Sequence, residues 1–255
     1  MNPFDPSSLS VSLLALGAAV FALAGFVKGV IGMGLPTIAM GLLSVAMPPA
    51  QAAALLIVPS LVTNVWQIVG PGCWVLLRRL ATMLAGVCLG IAAGVGWLTG
   101  QGNGSTRVIA ALGVALVVYA LLGLMKVKLQ VNPRHERWLS PVVGLATGLV
   151  TAASGVFVIP AVPYLNALGL DKEDLVRSLG ISFLVSTIAL AVSLRSSGAF
   201  EMGNAMGSVL ALLPALAGMA LGQWVRSRVQ PELFKKIFFC GLLALGSYLV
   251  LRSEL

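Results

Sequence analysis

One cation stands inside an otherwise apolar, glycine-rich stretch near the start of the sequence: Lys28, within GFVKGVIGMGLP. An ammonium at the centre of a membrane helix costs at least about 2.5–3.5 kcal/mol, so such charges usually mark function. The chemistry open to it there is attraction of an anion. The plainer alternative is that the stretch ends near lipid headgroups and Lys28 reaches them along its aliphatic stem. Beside it, Gly32 and Gly34 let the backbone turn and start a new helix. A helix that begins inside a membrane presents free N–H groups and the positive end of its dipole, which together suit an anion. Ser154 and Gly155 occupy a similar small-residue turn later in the chain. For Gly25, Gly29, Gly144 and Gly148, spaced as G-x-x-x-G, the competing reading is close helix crossing.

Neutral polar residues form a second group. Ser60, Thr63, Asn64 and Gln67 follow i, i+3, i+4, i+7, which is one helical face, and Ser178, Ser182 and Ser186 follow i, i+4, i+8, with Thr187 adjacent. Hydroxyls and amides can replace part of an anion's hydration shell without adding charge. Their bland role is interhelical hydrogen bonding, worth under about 1 kcal/mol each, or bonding back to their own helix. The expected substrate-binding set is therefore Lys28, Gly32, Gly34, Thr63, Asn64, Ser154, Gly155, Ser186 and Thr187. The acidic residues (Asp5, Glu136, Asp171, Glu173, Asp174, Glu201, Glu232 and Glu254) lie in loops or at segment ends, and His135 lies in a polar loop. That argues against a proton relay or carboxylate-lined cation path. Cys73, Cys88 and Cys240 have no ligand spacing. No catalytic motif is present, so neither an enzyme, a metal site nor a cofactor is expected.

These residues must be positioned by membrane helices. Of 255 residues, 58% are hydrophobic and 9% charged, with a mean hydropathy of +1.00. Apolar runs fall at about 9–27, 30–47, 51–69, 80–98, 107–125, 139–153, 155–168, 175–194, 204–225 and 234–251. Many are long enough to cross a hydrocarbon core of about 30 Å as helices. No two-residue alternation suggests a β-barrel, and the N-terminus lacks the basic start of a cleaved signal peptide. The runs flanking Lys28 and those flanking residues 151–155 could each be one long helix, giving eight spans, or a hairpin, giving ten segments. With ten and the N-terminus outside, one face collects Lys28, Arg78, Arg79, Lys126, Lys128, Arg134, Arg137, Lys172, Arg177, Arg226, Arg228, Lys235 and Lys236; the other keeps Arg107, Arg195 and Arg252. That asymmetry is what a cytoplasmic face shows, whereas eight spans divide the charges evenly. The expected fold is all-α, with ten helical segments.

The polar stretch 126–138 then acts as a cytoplasmic linker between a first repeat, 1–125, and a second, 139–255. Five segments per half would invert the second repeat, with discontinuous helices and substrate bound between the halves near mid-membrane. AALLIVPSLVTN and VRSLGISFLVST align so that Pro59 faces Ser182, Thr63 faces Ser186 and Asn64 faces Thr187. Helices starting near Gly34 and Gly155 would point at each other, with Thr63, Asn64 and Ser186 as side-chain donors closing the ring.

The segments GFVKGVIGMGLPTIAMGLL and GLATGLVTAASGVFVIPAVPYL resemble the paired glycine-rich signatures of the TauE/SafE family of sulfite and organosulfonate transporters. The likeness runs from about residue 10 to 250. The first copy has Leu35 and Pro36, and the second Thr151, Ala152 and Ala153, where the family pattern has further glycines. The resemblance implies a small anionic substrate, sulfite or a C2 sulfonate; the membrane expected is the bacterial inner membrane, and the charge asymmetry puts both termini on its periplasmic side. Partners are the substrate and the lipid bilayer, with a homo-oligomer left open; nucleic acid is not among them. A potential negative inside favours anion exit by about 2.3 kcal/mol per charge per 100 mV, so export is expected over import. The alternatives are a carrier of a cation or neutral metabolite, or a non-transporting partner subunit.

Overall fold

A computed structural model describes residues 11–70, 72–99, 103–125, 130–197, 202–226, 228 and 231–254. Among them the regular structure is helical: α1 (Val11–Ile31), α2 (Leu35–Ala46), α3 (Pro49–Ile68), α4 (Cys73–Thr99), α5 (Asn103–Leu124), α6 (Pro133–Ser154), α7 (Ala161–Ala167), α8 (Lys172–Ser196), α9 (Met202–Arg226) and α10 (Pro231–Glu254). Six are long and apolar enough to cross a membrane. Two helices begin on side-chain caps. Asn132 caps α6 by accepting Arg134 N–H at 3.0 Å, and Asp171 caps α8 by accepting Asp174 N–H at 2.8 Å. The cap at Asn132 makes residues 133–138 the first turns of α6, so part of the stretch read as a linker is helix; its residues 126–129 lie outside the described ones.

At both breaks the chain doubles back. Arg252 of α10 donates to Val45 O at 2.8 Å, and positions near Gly34 and Gly41 face Phe238 and Leu245, so α2 runs parallel to α10 and opposite to α1. In the second break Tyr164 of α7 meets Ser140 of α6 at 2.6 Å, and Val131 N–H reaches Ala167 O at 2.9 Å, so α7 returns toward the start of α6. The two reversals differ in form. Gly34 is the N-cap of α2, whereas α7 does not begin until Ala161, and residues 156–160 carry the chain without helix.

The most extensive interfaces are α1 with α9 and α4 with α6, followed by α5 with α10, while α3 and α8 cross at the centre and pack on α9 and α4 respectively. Exchanging each helix for the one five places along leaves this scheme unchanged. The two largest interfaces rest on glycine. A Cβ at Gly25 would strike Ala215 O and one at Gly218 would strike Ala22 O; likewise Gly144 lies on Met83 O and Gly86 on Pro141 O. The packing reading of Gly25, Gly29, Gly144 and Gly148 is the one observed. Their partners, Gly218 with Gly222 and Gly86 with Gly90, carry the same G-x-x-x-G spacing on α9 and α4.

Candidate substrate-binding site

The last turn of α1 carries Lys28 into the protein, where 3% of it is exposed. It does not reach outward to a headgroup. Its Nζ donates to Thr63 Oγ1 at 3.0 Å and to Asn64 Oδ1, both on α3. An ammonium has only donors to offer, which settles that Asn64 presents its oxygen. Thr63 in turn donates to Pro59 O at 2.6 Å, leaving its lone pairs for Lys28. One helical turn further on, Gln67 Nε2 donates to Gly32 O and ties α3 to the α1–α2 break. The break itself needs glycine: Gly32 has φ +88° and Gly34 φ +111°. Gly34 opens α2 with no side-chain cap, and a Cβ there would meet Val27 and Phe238 at 3.2–3.3 Å.

Two arginines elsewhere are paired with carboxylates. Arg79 grips Glu136 through two bonds of 2.6 and 2.8 Å, and Arg177 reaches Glu173 and Asp174. Lys28 has no carboxylate partner among the described residues. In the register that sets Gly25 and Gly29 against Gly144 and Gly148, its counterpart is Thr147, whose hydroxyl bonds back to Val143 O at 2.7 Å. The buried cation belongs to one half alone.

The second-half candidates are arranged differently from the sequence expectation. Gly155 is the C-cap of α6, not the start of a helix: its N–H continues the helical ladder to Thr151 O at 2.7 Å, and its φ of +71° ends the helix. Two facing helix N-termini are therefore not formed. Ser154 is occupied by its own turn, donating to Val150 O at 2.7 Å and accepting Val156 N–H at 3.2 Å. Ser186 and Thr187 donate to Ser182 O and Phe183 O at 2.8 and 2.7 Å. Their hydrogens are engaged within α8, so Ser186 does not act as a ring-closing donor; this is the back-bonding alternative. Thr63 and Asn64 likewise face Lys28 as acceptors.

Gly155 and Thr187 nevertheless meet, lining with Ser60 and Phe157 a cavity that has room for about one water. Ser60 sits one turn before Asn64 on α3 and so connects this cavity to the Lys28 cluster. The buried hydroxyls of Ser60, Ser178 and Ser182 have no hydrogen-bond partner among the described residues. Such groups ordinarily find one; Ser44 Oγ and Gln67 Oε1 are in the same state. Gln67 and these serines were visible on helical faces in the sequence; Ser208 of α9, which bonds α3 backbone, carried no signal that separates it from other serines.

Two helix pairs packed on glycine thus flank the central helices α3 and α8; Lys28 of α1 bonds α3, and both central helices bear unpartnered hydroxyls. No curated protein and no solved structure matches the chain. The family model described as "Sulfite exporter TauE/SafE" matches residues 17–249, which include both breaks, both central helices and Lys28. With that match across nearly its whole length and six helices fit to span a bilayer, the chain is a multi-pass membrane protein belonging to the TauE/SafE sulfite exporter family.

Proposed function

We propose that the protein is a secondary transporter of a small oxoanion, sulfite or a C2 sulfonate, and that Lys28 with Thr63 and Asn64 forms the charged end of its binding site. The observation that carries this reading is the Lys28 ammonium, 3% exposed and held by two neutral acceptors. A buried charge without a counter-charge is unfavourable, and a mobile anion supplies the missing partner. Ser60, Ser178 and Ser182 then offer neutral donors along the same central interface, holding an anion loosely enough to release it.

The interchangeable helix pairing supports two repeats of five segments, 1–125 and 139–255, joined by the polar stretch 126–138. An odd number per repeat inverts the second, so that α3 and α8 move against each other in alternating access. Export across a bacterial inner membrane, with both termini periplasmic, follows from the membrane potential and the charge distribution.

Reconstituted protein tests it. Proteoliposomes should carry sulfite or a C2 sulfonate but no member of a monovalent and divalent cation series, and Lys28→Ala should remove the anion flux. Cation flux, or equal anion flux in well-folded Lys28→Ala protein, would overturn the proposal.

A further inference from the structure

Pro59 interrupts the hydrogen-bond ladder of α3. Having no N–H, it leaves the Leu55 carbonyl, four residues earlier, without a helical donor. Within a membrane no water reaches such a group, and neighbouring helices must satisfy it. Here α9 does so. The Ser208 hydroxyl, fully buried, donates to Leu55 O at 2.8 Å and accepts Val58 N–H at 3.0 Å. One side chain therefore bonds both a carbonyl and an N–H of the turn that leads into Pro59. Thr63 and Asn64 lie one turn beyond Pro59, and Thr63 also bonds Pro59 O.

α9 is itself locked to α1, because Gly218 and Gly222 lie on Ala22 O and Phe26 O while Gly25 lies on Ala215 O. α1 carries Lys28. The contacts form a closed circuit: glycines join α1 to α9, Ser208 joins α9 to α3, and Lys28 joins α3 back to α1. We propose that Ser208 is a positioning residue for the anion site, holding the kinked end of α3 so that Thr63 and Asn64 stay on Lys28 and thereby setting the affinity for the anion. This rests on the reading of those three residues as that site. The other half shows why the clamp is one-sided. α8 has Ser182 where α3 has Pro59, so its ladder is intact there and needs no outside donor.

The test uses the full-length protein, sulfite and a C2 sulfonate as probes, binding by calorimetry, and thermal unfolding in detergent. Ser208→Ala should weaken anion binding about tenfold, the consequence of a buried carbonyl left unpaired, and Ser208→Thr should restore most of it. Pro59→Ala returns the missing N–H to Leu55, so in that background Ser208→Ala should change affinity and unfolding temperature little. Equal losses in both backgrounds, or wild-type affinity in folded Ser208→Ala protein, would overturn the positioning role. Should Ser208→Ala alone fail to fold, recovery of folded, anion-binding protein in the double variant supports the clamp, and no recovery sinks it. Lys28→Ala separates the two ideas: normal affinity there removes the anion site, whereas lost affinity beside unaffected Ser208→Ala removes only the clamp.

Discussion

Lys28 and Asn64 form a pair whose meaning depends on charge, and substitution at Asn64 reads it most directly. If Asn64 were only a structural acceptor, aspartate would serve as well or better, since charge-assisted hydrogen bonds are the stronger ones. If the ammonium is kept unneutralised for a substrate, Asn64→Asp supplies a permanent internal anion and displaces the mobile one. We therefore expect Asn64→Asp to unfold at an equal or higher temperature than wild type while losing at least about tenfold in sulfite affinity, a change of about 1.4 kcal/mol. Retained affinity would make the lysine structural. Lys28→Arg should keep part of the flux, because the charge stays but the planar fork differs from the compact ammonium. Valine at Gly34 or Gly155 is a poor probe of the site. Both glycines have positive φ, +111° and +71°, so a branched side chain strains the backbone before any ligand is concerned.

At the scale of elements, glycine has two unrelated uses in this chain, which substitution should separate. Gly222 and Gly90 lie against backbone of the opposing helix, where a Cβ has no space. Valine at either should cost about 1–3 kcal/mol or more through overpacking, seen as a lowered unfolding temperature in detergent. Gly241, in α10, has open space where its Cβ would stand. Gly241→Ala should be neutral or stabilising by about 0.5–1 kcal/mol, because alanine loses less backbone freedom in a helix. Equal destabilisation at all three positions would mean that the glycines act through lipid contacts and not through the α1–α9 and α4–α6 pairs.

For the molecule as a whole, orientation follows from where Lys and Arg collect. Labelling of a single cysteine introduced at Arg137 or Arg78, in protein lacking Cys73, Cys88 and Cys240, should occur from the cytoplasmic side. A cysteine at Arg195 or Arg252 should react from the periplasmic side. The reverse pattern would refute the orientation, and the two groups labelling from one side would refute the inverted second repeat as well. The pairing of helices is nearly unchanged by exchanging the halves, yet Lys28 faces Thr63 and Asn64 in one half while Thr147 bonds its own helix in the other.

Membrane residence, the family and the helical runs were legible in the sequence because they depend on local composition: apolar runs satisfy their own backbone, and G-x-x-x-G spacing persists without knowledge of its partner. Lys28, Thr63 and Asn64 were legible as candidates for the same reason, being polar groups that hydrocarbon cannot accommodate singly. The sequence did not determine what each polar group would bond. Whether Ser186 donates outward or back to Ser182 turns on its side-chain rotamer, and whether Gly155 starts a helix or ends one turns on its backbone dihedrals. Both are decided in the packed structure, where Met40 stands at the place a Cβ on Gly155 would take. Ser208 is the clearest instance. Its role exists because Pro59 frees a carbonyl on α3 and glycine contacts bring α9 within reach, a coincidence of positions about 150 residues apart that only tertiary packing creates.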